Sequence, residues 1–240
     1  MWKRISDKVR IWCGSLSDFL FPRYCTCCAG RLALGEEFIC SNCLTLMPFT
    51  HHKSFIENPM AERFRGLVPV QKATSYFLYV KSSPYAQILF DLKYRNRPEI
   101  GFFMGRNMAR SLIHSDFFNG IDIIIPVPLS RQKERKRGYN QSLWIARGIA
   151  DITGIPIDDK SVLRIISNPS QTTLSHTERL TNVTNIFRLE YPDKMAGRHI
   201  LLVDDVITTG ATLLSCAEAI TRQQGNVRIS MLTLAQSSAL

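Results

Sequence analysis

The chain has 240 residues, of which 45% are hydrophobic and 21% charged, with 13 glycines and 11 prolines. That length suffices to bury a real hydrophobic core, and the balance excludes disordered, collagen-like and linker-like classes. A formal net charge of +10 points to a phosphate-bearing partner without choosing between nucleic acid, phosphometabolite and anionic membrane.

Residues 1–21 place Trp2, Ile5, Val9, Trp12, Leu16 and Phe19 at three- and four-residue intervals, which predicts an amphipathic helix ended by Pro22. Its stripe suits docking on the rest of the protein or on a second copy, as in a homodimer; the flanking Lys3, Arg4, Lys8 and Arg10 also suit a membrane surface. No run reaches the roughly 18 apolar residues of a transmembrane helix. Seven cysteines, an odd number, without a long apolar leader fit a reducing cytoplasm and a metal site better than a disulfide scaffold.

Residues 22–50 hold Cys25-x-x-Cys28 and Cys40-x-x-Cys43 in a stretch too poor in apolar periodicity to fold alone. Two such knuckles can close a tetrahedral Zn²⁺ site, structural rather than catalytic because four thiolates leave no open position. Cys27 competes with Cys28, and the two-residue spacing favours Cys28. A polar connector, 51–72, leads to the strand-like SYFLYV that opens a main domain over 73–240.

Helices are expected over Tyr85–Tyr94 and Phe102–His114. Thereafter IDIIIPVPL, RHILLVDD and NVRISMLTLA read as buried strands, alternating with helices over NQSLWIARGIADITG and ATLLSCAEAITRQQG. This is an α/β pattern with a mainly parallel sheet and flanking helices. The polar stretch 165–185 is too long for a simple connection and reads as a functional lid or a disordered, solvated segment.

Asp204 and Asp205 close the second of these strands, where the ligand crevice of an open parallel sheet lies. Thr208, Thr209, Gly210, Ala211 and Thr212 then turn into a helix, an arrangement of hydroxyls and backbone N–H groups suited to a phosphate, with Gly210 permitting close approach. The adjacent carboxylates suit two sugar hydroxyls or a bound Mg²⁺. After the first strand, PVPLSRQKERKRGYNQS forms a basic loop. A solvated charged face would explain it, but its position at the same sheet edge favours anion binding.

LLVDDVITTGAT resembles the signature of the type I phosphoribosyltransferases. By that resemblance Asp204 and Asp205 contact the ribose of phosphoribosyl pyrophosphate, and Thr208, Thr209, Gly210, Ala211 and Thr212 hold its 5-phosphate. Arg137, Gly138, Tyr139, Asn140 and Gln141 resemble a signature of the ComF/GntX family, related to bacterial DNA-uptake proteins. The resemblance extends to the zinc element and to Lys93-Tyr94-Arg95, a candidate contact to base, phosphate or nucleic acid. It implies a pyrophosphate loop of Pro128, Leu129, Arg131, Lys133, Arg135, Lys136, Arg137, Gly138, Tyr139, Asn140 and Gln141, and a flap carrying Gln171, Thr172, Arg179 and Asn182.

The implied activity is Mg²⁺-dependent transfer of phosphoribose, a transferase reaction, with Arg137 among the catalytic groups. Hypoxanthine-type enzymes carry an aspartate where this chain has Thr208, which argues against purine salvage. The rival expectation is a non-catalytic competence factor that binds single-stranded DNA or a competence-protein partner.

Overall fold

A computed structural model describes residues 22–165 and 186–237. The expected N-terminal helix therefore lies outside the described residues, as do the flap residues Gln171, Thr172, Arg179 and Asn182.

Four strands form one wholly parallel sheet: β1 (Val70–Tyr79), β2 (Ile123–Pro126), β5 (His199–Ile207) and β6 (Arg228–Ser237), in the order β1-β6-β5-β2. Continuous β-branched and leucine runs build β2 and β5 because both of their faces are covered. Between them in sequence, the short strands β3 (Val162–Arg164) and β4 (Phe187–Leu189) pair antiparallel, bracketing the expected flap.

The remaining elements are α1 (Ser41–Thr45), α2 (Pro59–Glu62), α3 (Ala86–Tyr94), α4 (Pro98–Leu112), α5 (Arg131–Arg137), α6 (Gln141–Thr153) and α7 (Ala211–Gln223). Two expectations need correcting. Helix α4 starts at Pro98, four residues before the predicted Phe102, since proline at the first turn forfeits only an N–H that has no helical partner there. The segment Arg131–Arg137 is helical rather than a loop: Ser130 Oγ accepts from Lys133 N, and Gly138 closes the helix in the left-handed conformation at φ +80°.

The two faces of the sheet have separate cores. Helices α3, α4 and α6 and the cysteine-rich segment pack on one face, through Leu92, Met104, Ile145 and Ile39 against Phe77, Leu201 and Leu232. Helices α2 and α7 and the β3–β4 pair cover the other, through Phe64, Cys216 and Phe187 against Ile125, Leu202 and Met231. The chain thus leaves the carboxyl end of β2 toward one face and that of its neighbour β5 toward the other. That divergence opens a crevice between β2 and β5 at the strand ends.

Candidate functional site

Adjacent residues of a strand point to opposite faces, so Asp204 and Asp205 separate at the end of β5. Asp205 turns toward α3, where its Oδ2 meets Lys93 Nζ at 3.0 Å. Asp204 Oδ1 accepts hydrogen bonds from Ser142 Oγ at 2.9 Å and from the Asp205 N–H at 2.8 Å. Burial first, and the neighbouring Asp205 charge second, raise the Asp204 pKa to about 7. Lys93, expected to meet a ligand or nucleic acid directly, is engaged by Asp205. Arg95 instead lies 3.5 Å from Asp91 and over the Phe90 ring.

The loop from Thr208 to Thr212 curls at the N-terminus of α7. Thr208 and Thr209 are exposed, the N-cap Gly210 has no side chain to offer, and Ala211 N makes one long hydrogen bond to Thr209 Oγ1 at 3.4 Å, a helix start suited to an anion. Gly210 takes φ +85°, and a Cβ there would lie 3.2 Å from the Phe64 ring. The glycine thus also serves the left-handed turn and the packing of Phe64 against the loop. Phe64 belongs to the connector, and its neighbour Arg63 donates from Nη1 to the Thr208 carbonyl at 3.0 Å.

The basic segment and the residues after it form a chain of contacts. Arg137 Nη1 donates to Gln141 Oε1 at 2.8 Å and its guanidinium lies over Tyr94. Tyr139 donates its hydroxyl to the Leu92 carbonyl at 2.5 Å. Asn140 caps α6 through Ser142 N and donates to the Val127 carbonyl. Gln141 is buried, with an Nε2 that has no partner among the described residues. Gly138 through Ser142 therefore lock α5 onto α3, β2 and Asp204.

Lys133 also faces this region. Partial desolvation, followed by repulsion from Arg164, Arg137 and Lys93, lowers its pKa, while Asp205 raises it. Arg164 on β3 feels Asp204 in turn: burial lowers its pKa and the carboxylate opposes that. Pro128, Leu129, Arg131 and Asn140 line a cavity of about 430 Å³ shared with Arg164 and Arg188. Arg135 and Lys136 are exposed.

The sequence reading missed Ser142, Arg164 and Arg63. Ser142 ends the signature string and carried a local signal; Arg63 lies 145 residues from its loop partner and carried none.

In the cysteine-rich segment the Sγ atoms of Cys25, Cys28, Cys40 and Cys43 all lie within 4.8 Å of one another. Cys28 and Cys40 are 3.8 Å apart. Tetrahedral Zn–S bonds of about 2.3 Å require sulfur edges of about 3.8 Å, so the four thiols fit Zn²⁺. Backbone N–H groups of Cys40 and Cys43 point at Cys25 Sγ and Cys40 Sγ, as thiolates require. Cys27 falls outside the cluster, its thiol pushed up to about 12 by burial. Tyr85 donates to the Cys43 carbonyl, and Phe38 packs edge-on to Phe103, which seats the segment on α3 and α4.

No protein-family model matches the chain. It is 31% identical over 216 residues to the DNA utilization protein YhgH of Escherichia coli K12, covering 84% of this chain and 92% of that protein. Competence protein F of Haemophilus influenzae is 26% identical over 226 residues, 89% of this chain and 96% of the relative. Competence protein ComFC of Bacillus subtilis is 31% identical over 115 residues, 48% and 45% of the two chains.

Among solved structures, a glutamine phosphoribosylpyrophosphate amidotransferase from B. subtilis, complexed with ADP and GMP, is similar at TM-score 0.40 and 18% identity. That match covers 59% of this chain and 30% of the other. Adenine phosphoribosyltransferase from Leishmania tarentolae is similar at TM-score 0.35 and 10% identity, covering 75% and 88%. No helix among the described residues is long and apolar enough to cross a membrane.

Proposed function

The chain belongs to the family of the YhgH DNA utilization protein and the ComF-type competence proteins, and from that premise we propose that it binds phosphoribosyl pyrophosphate in the β2–β5 crevice and transfers its phosphoribosyl group. The observation that carries this reading is the coincidence, at the carboxyl end of the strands, of Asp204 and Asp205, the N-terminus of α7 and the basic helix α5.

In this reading the Thr208–Thr212 loop and the first N–H groups of α7 hold the 5-phosphate, and the two carboxylates orient the ribose hydroxyls. Arg131, Lys133 and Arg137 stabilise charge on the departing pyrophosphate, where fixed donors lower the barrier most. The orphaned Gln141 Nε2 is a buried donor on the same side. Mg²⁺ enters with the pyrophosphate as part of the substrate and supplies further charge neutralisation. The bond from ribose C1 to the pyrophosphate oxygen breaks, and a nucleophile of the acceptor forms the new bond to C1. Zn²⁺ held by Cys25, Cys28, Cys40 and Cys43 secures the N-terminal segment to α3 and α4 and takes no part in the transfer.

The names of the relatives, DNA utilization and competence, together with the net charge of +10, favour a second reading: a non-catalytic factor for DNA uptake that binds single-stranded DNA or a competence protein. Pyrophosphate release separates the two. Incubation with phosphoribosyl pyrophosphate, Mg²⁺ and a panel of nitrogen and hydroxyl acceptors yields stoichiometric pyrophosphate with at least one acceptor if the chain is a transferase. Binding of single-stranded DNA with a salt slope spanning several phosphates, and no pyrophosphate with any acceptor, would instead establish the second.

A further inference from the structure

The segment read from sequence as a plain connector holds a charge at the phosphate loop. Asn58 fixes it in place: its Oδ1 accepts from Met60 N and Ala61 N at 2.9 and 3.0 Å, and its Nδ2 donates to the Ser54 and Ala73 carbonyls at 2.8 Å each. Met60 and Phe64 are buried in the core beneath α7, at 0% and 1% exposure. Residue 63 therefore stands on an anchored backbone rather than on a swinging arm.

From that anchor the Arg63 guanidinium reaches the carbonyl of Thr208, the first residue of the loop, at 3.0 Å. Phe64 meanwhile packs against the position of a Gly210 side chain. Two adjacent connector residues thus grip both halves of the turn. No carboxylate among the described residues pairs with Arg63, whereas its neighbour Arg65 is bound by Glu62 at 2.7 Å. Its Nε is shielded from solvent and has no partner among the described residues. A guanidinium with no carboxylate partner among the described residues, held beside a helix N-terminus, is an arrangement that a phosphate dianion completes.

We propose that Arg63 is a positioning residue of the phosphate subsite, holding the Thr208–Thr212 loop by its carbonyl and adding a fixed positive charge that selects a phosphomonoester. This rests on the phosphoribosyl reading of the crevice and assigns to that site a residue from outside the sheet domain's own signature. The loop's hydroxyls and N–H groups are neutral, so Arg63 is the charge that distinguishes a dianionic ligand from an uncharged sugar. Because its charge stands at the Thr208–Thr212 loop, its loss affects ligands that carry a 5-phosphate and spares those that enter only by the pyrophosphate side.

The test uses the full zinc-loaded chain and three probes: ribose 5-phosphate, phosphoribosyl pyrophosphate with Mg²⁺, and pyrophosphate with Mg²⁺. In Arg63→Gln, which keeps a donor for the carbonyl but removes the charge, affinity for the first two falls about tenfold and for pyrophosphate stays within twofold. Arg63→Lys, which keeps the charge, recovers most of the loss at an unchanged melting temperature. The wild-type protein supplies a measurement independent of any variant: the Arg63 Nε–H resonance shifts on addition of ribose 5-phosphate and not of ribose.

Ribose 5-phosphate binding equal in wild type and Arg63→Gln, or an Arg63 resonance that does not move while ligand binds, overturns this inference and leaves the phosphoribosyl reading intact. Absence of binding of every probe by the wild type overturns both.

Discussion

Ser142 Oγ donates to Asp204 Oδ1 over 2.9 Å, joining the first turn of α6 to the end of β5 across the crevice between β2 and β5. The bond places the residue after the Arg-Gly-Tyr-Asn-Gln string directly on the carboxylate pair, so the two sequence signatures meet physically. Asp204 is held near the midpoint of its titration at neutral pH, and the Ser142 hydroxyl favours its ionised form. Ser142→Ala should raise the Asp204 pKa further. Ligand binding that requires the carboxylate should then move to higher pH, which a pH series of binding isotherms will read directly.

Asp204 itself should trade stability against function. Its folded pKa of about 7 exceeds the ordinary 3.8, so between those values the folded chain holds more protons than the unfolded one. Its contribution is fully present below pH 3.8 and is lost as pH rises through about 7. Asp204→Asn preserves the acceptor for Ser142 and for the Asp205 N–H while removing the charge. The variant should therefore melt higher than wild type at pH 8, with the advantage shrinking toward pH 5, and should bind phosphoribosyl pyrophosphate poorly throughout. Equal pH profiles of melting temperature would contradict the assigned burial of this carboxylate.

Lys93 and Asp205 form a pair with side-chain exposures of only 18% and 11%. Removing one partner leaves a shielded charge, which costs about 2–3 kcal/mol for a pair not fully buried. Lys93→Met should be destabilised by that amount, and Lys93→Met with Asp205→Asn should recover most of it. A double-mutant cycle by urea denaturation checks the coupling; strict additivity would mean that the two side chains do not interact in solution.

Helices α4 and α6 cross at glycines. A Cβ on Gly105 would lie 2.2 Å from the Ile145 carbonyl oxygen, and one on Gly148 would lie 2.1 Å from that of Phe102. Both obstacles are backbone, so the helices must separate. Gly105→Ala and Gly148→Ala should each lose about 1–3 kcal/mol or more by overpacking, despite the helix propensity gained. Gly225→Ala, with nothing within 4 Å and no positive φ, is the neutral control.

The four-cysteine cluster predicts one zinc per chain. Serine at Cys25, Cys28, Cys40 or Cys43 should lower the metal content and the melting temperature, whereas Cys27→Ser should keep both, as elemental analysis and thermal melts will show. A metal-to-chain ratio near zero in protein prepared with zinc would remove the site.

Much of this was legible because it is local. The runs of isoleucine, leucine and valine in β2 and β5 have no low-energy alternative to burial, and the cysteine spacing limits how the thiols can meet. The segment Arg131–Arg137 hid its helix because it has no apolar periodicity; Ser130 and Gly138 at its ends define it instead. Arg63 hid for a different reason: its contact to Thr208 is made by tertiary packing that seats Arg63 and Phe64 against the 208–210 turn, which no spacing encodes. Asp204 and Asp205 were visible as a pair, but their partners, Ser142 on α6 and Lys93 on α3, are supplied by two helices that tertiary packing sets side by side on one face of the sheet.

The most direct test is calorimetric titration of the zinc-loaded chain with phosphoribosyl pyrophosphate, with and without Mg²⁺, in moderate salt. The predicted result is saturable one-to-one binding that depends on Mg²⁺ and disappears in Asp204→Asn with Asp205→Asn, with circular dichroism of the variant checking that it is folded. No heat of binding in the wild type, or equal binding by the double variant, would contradict a phosphoribosyl site at the β2–β5 crevice.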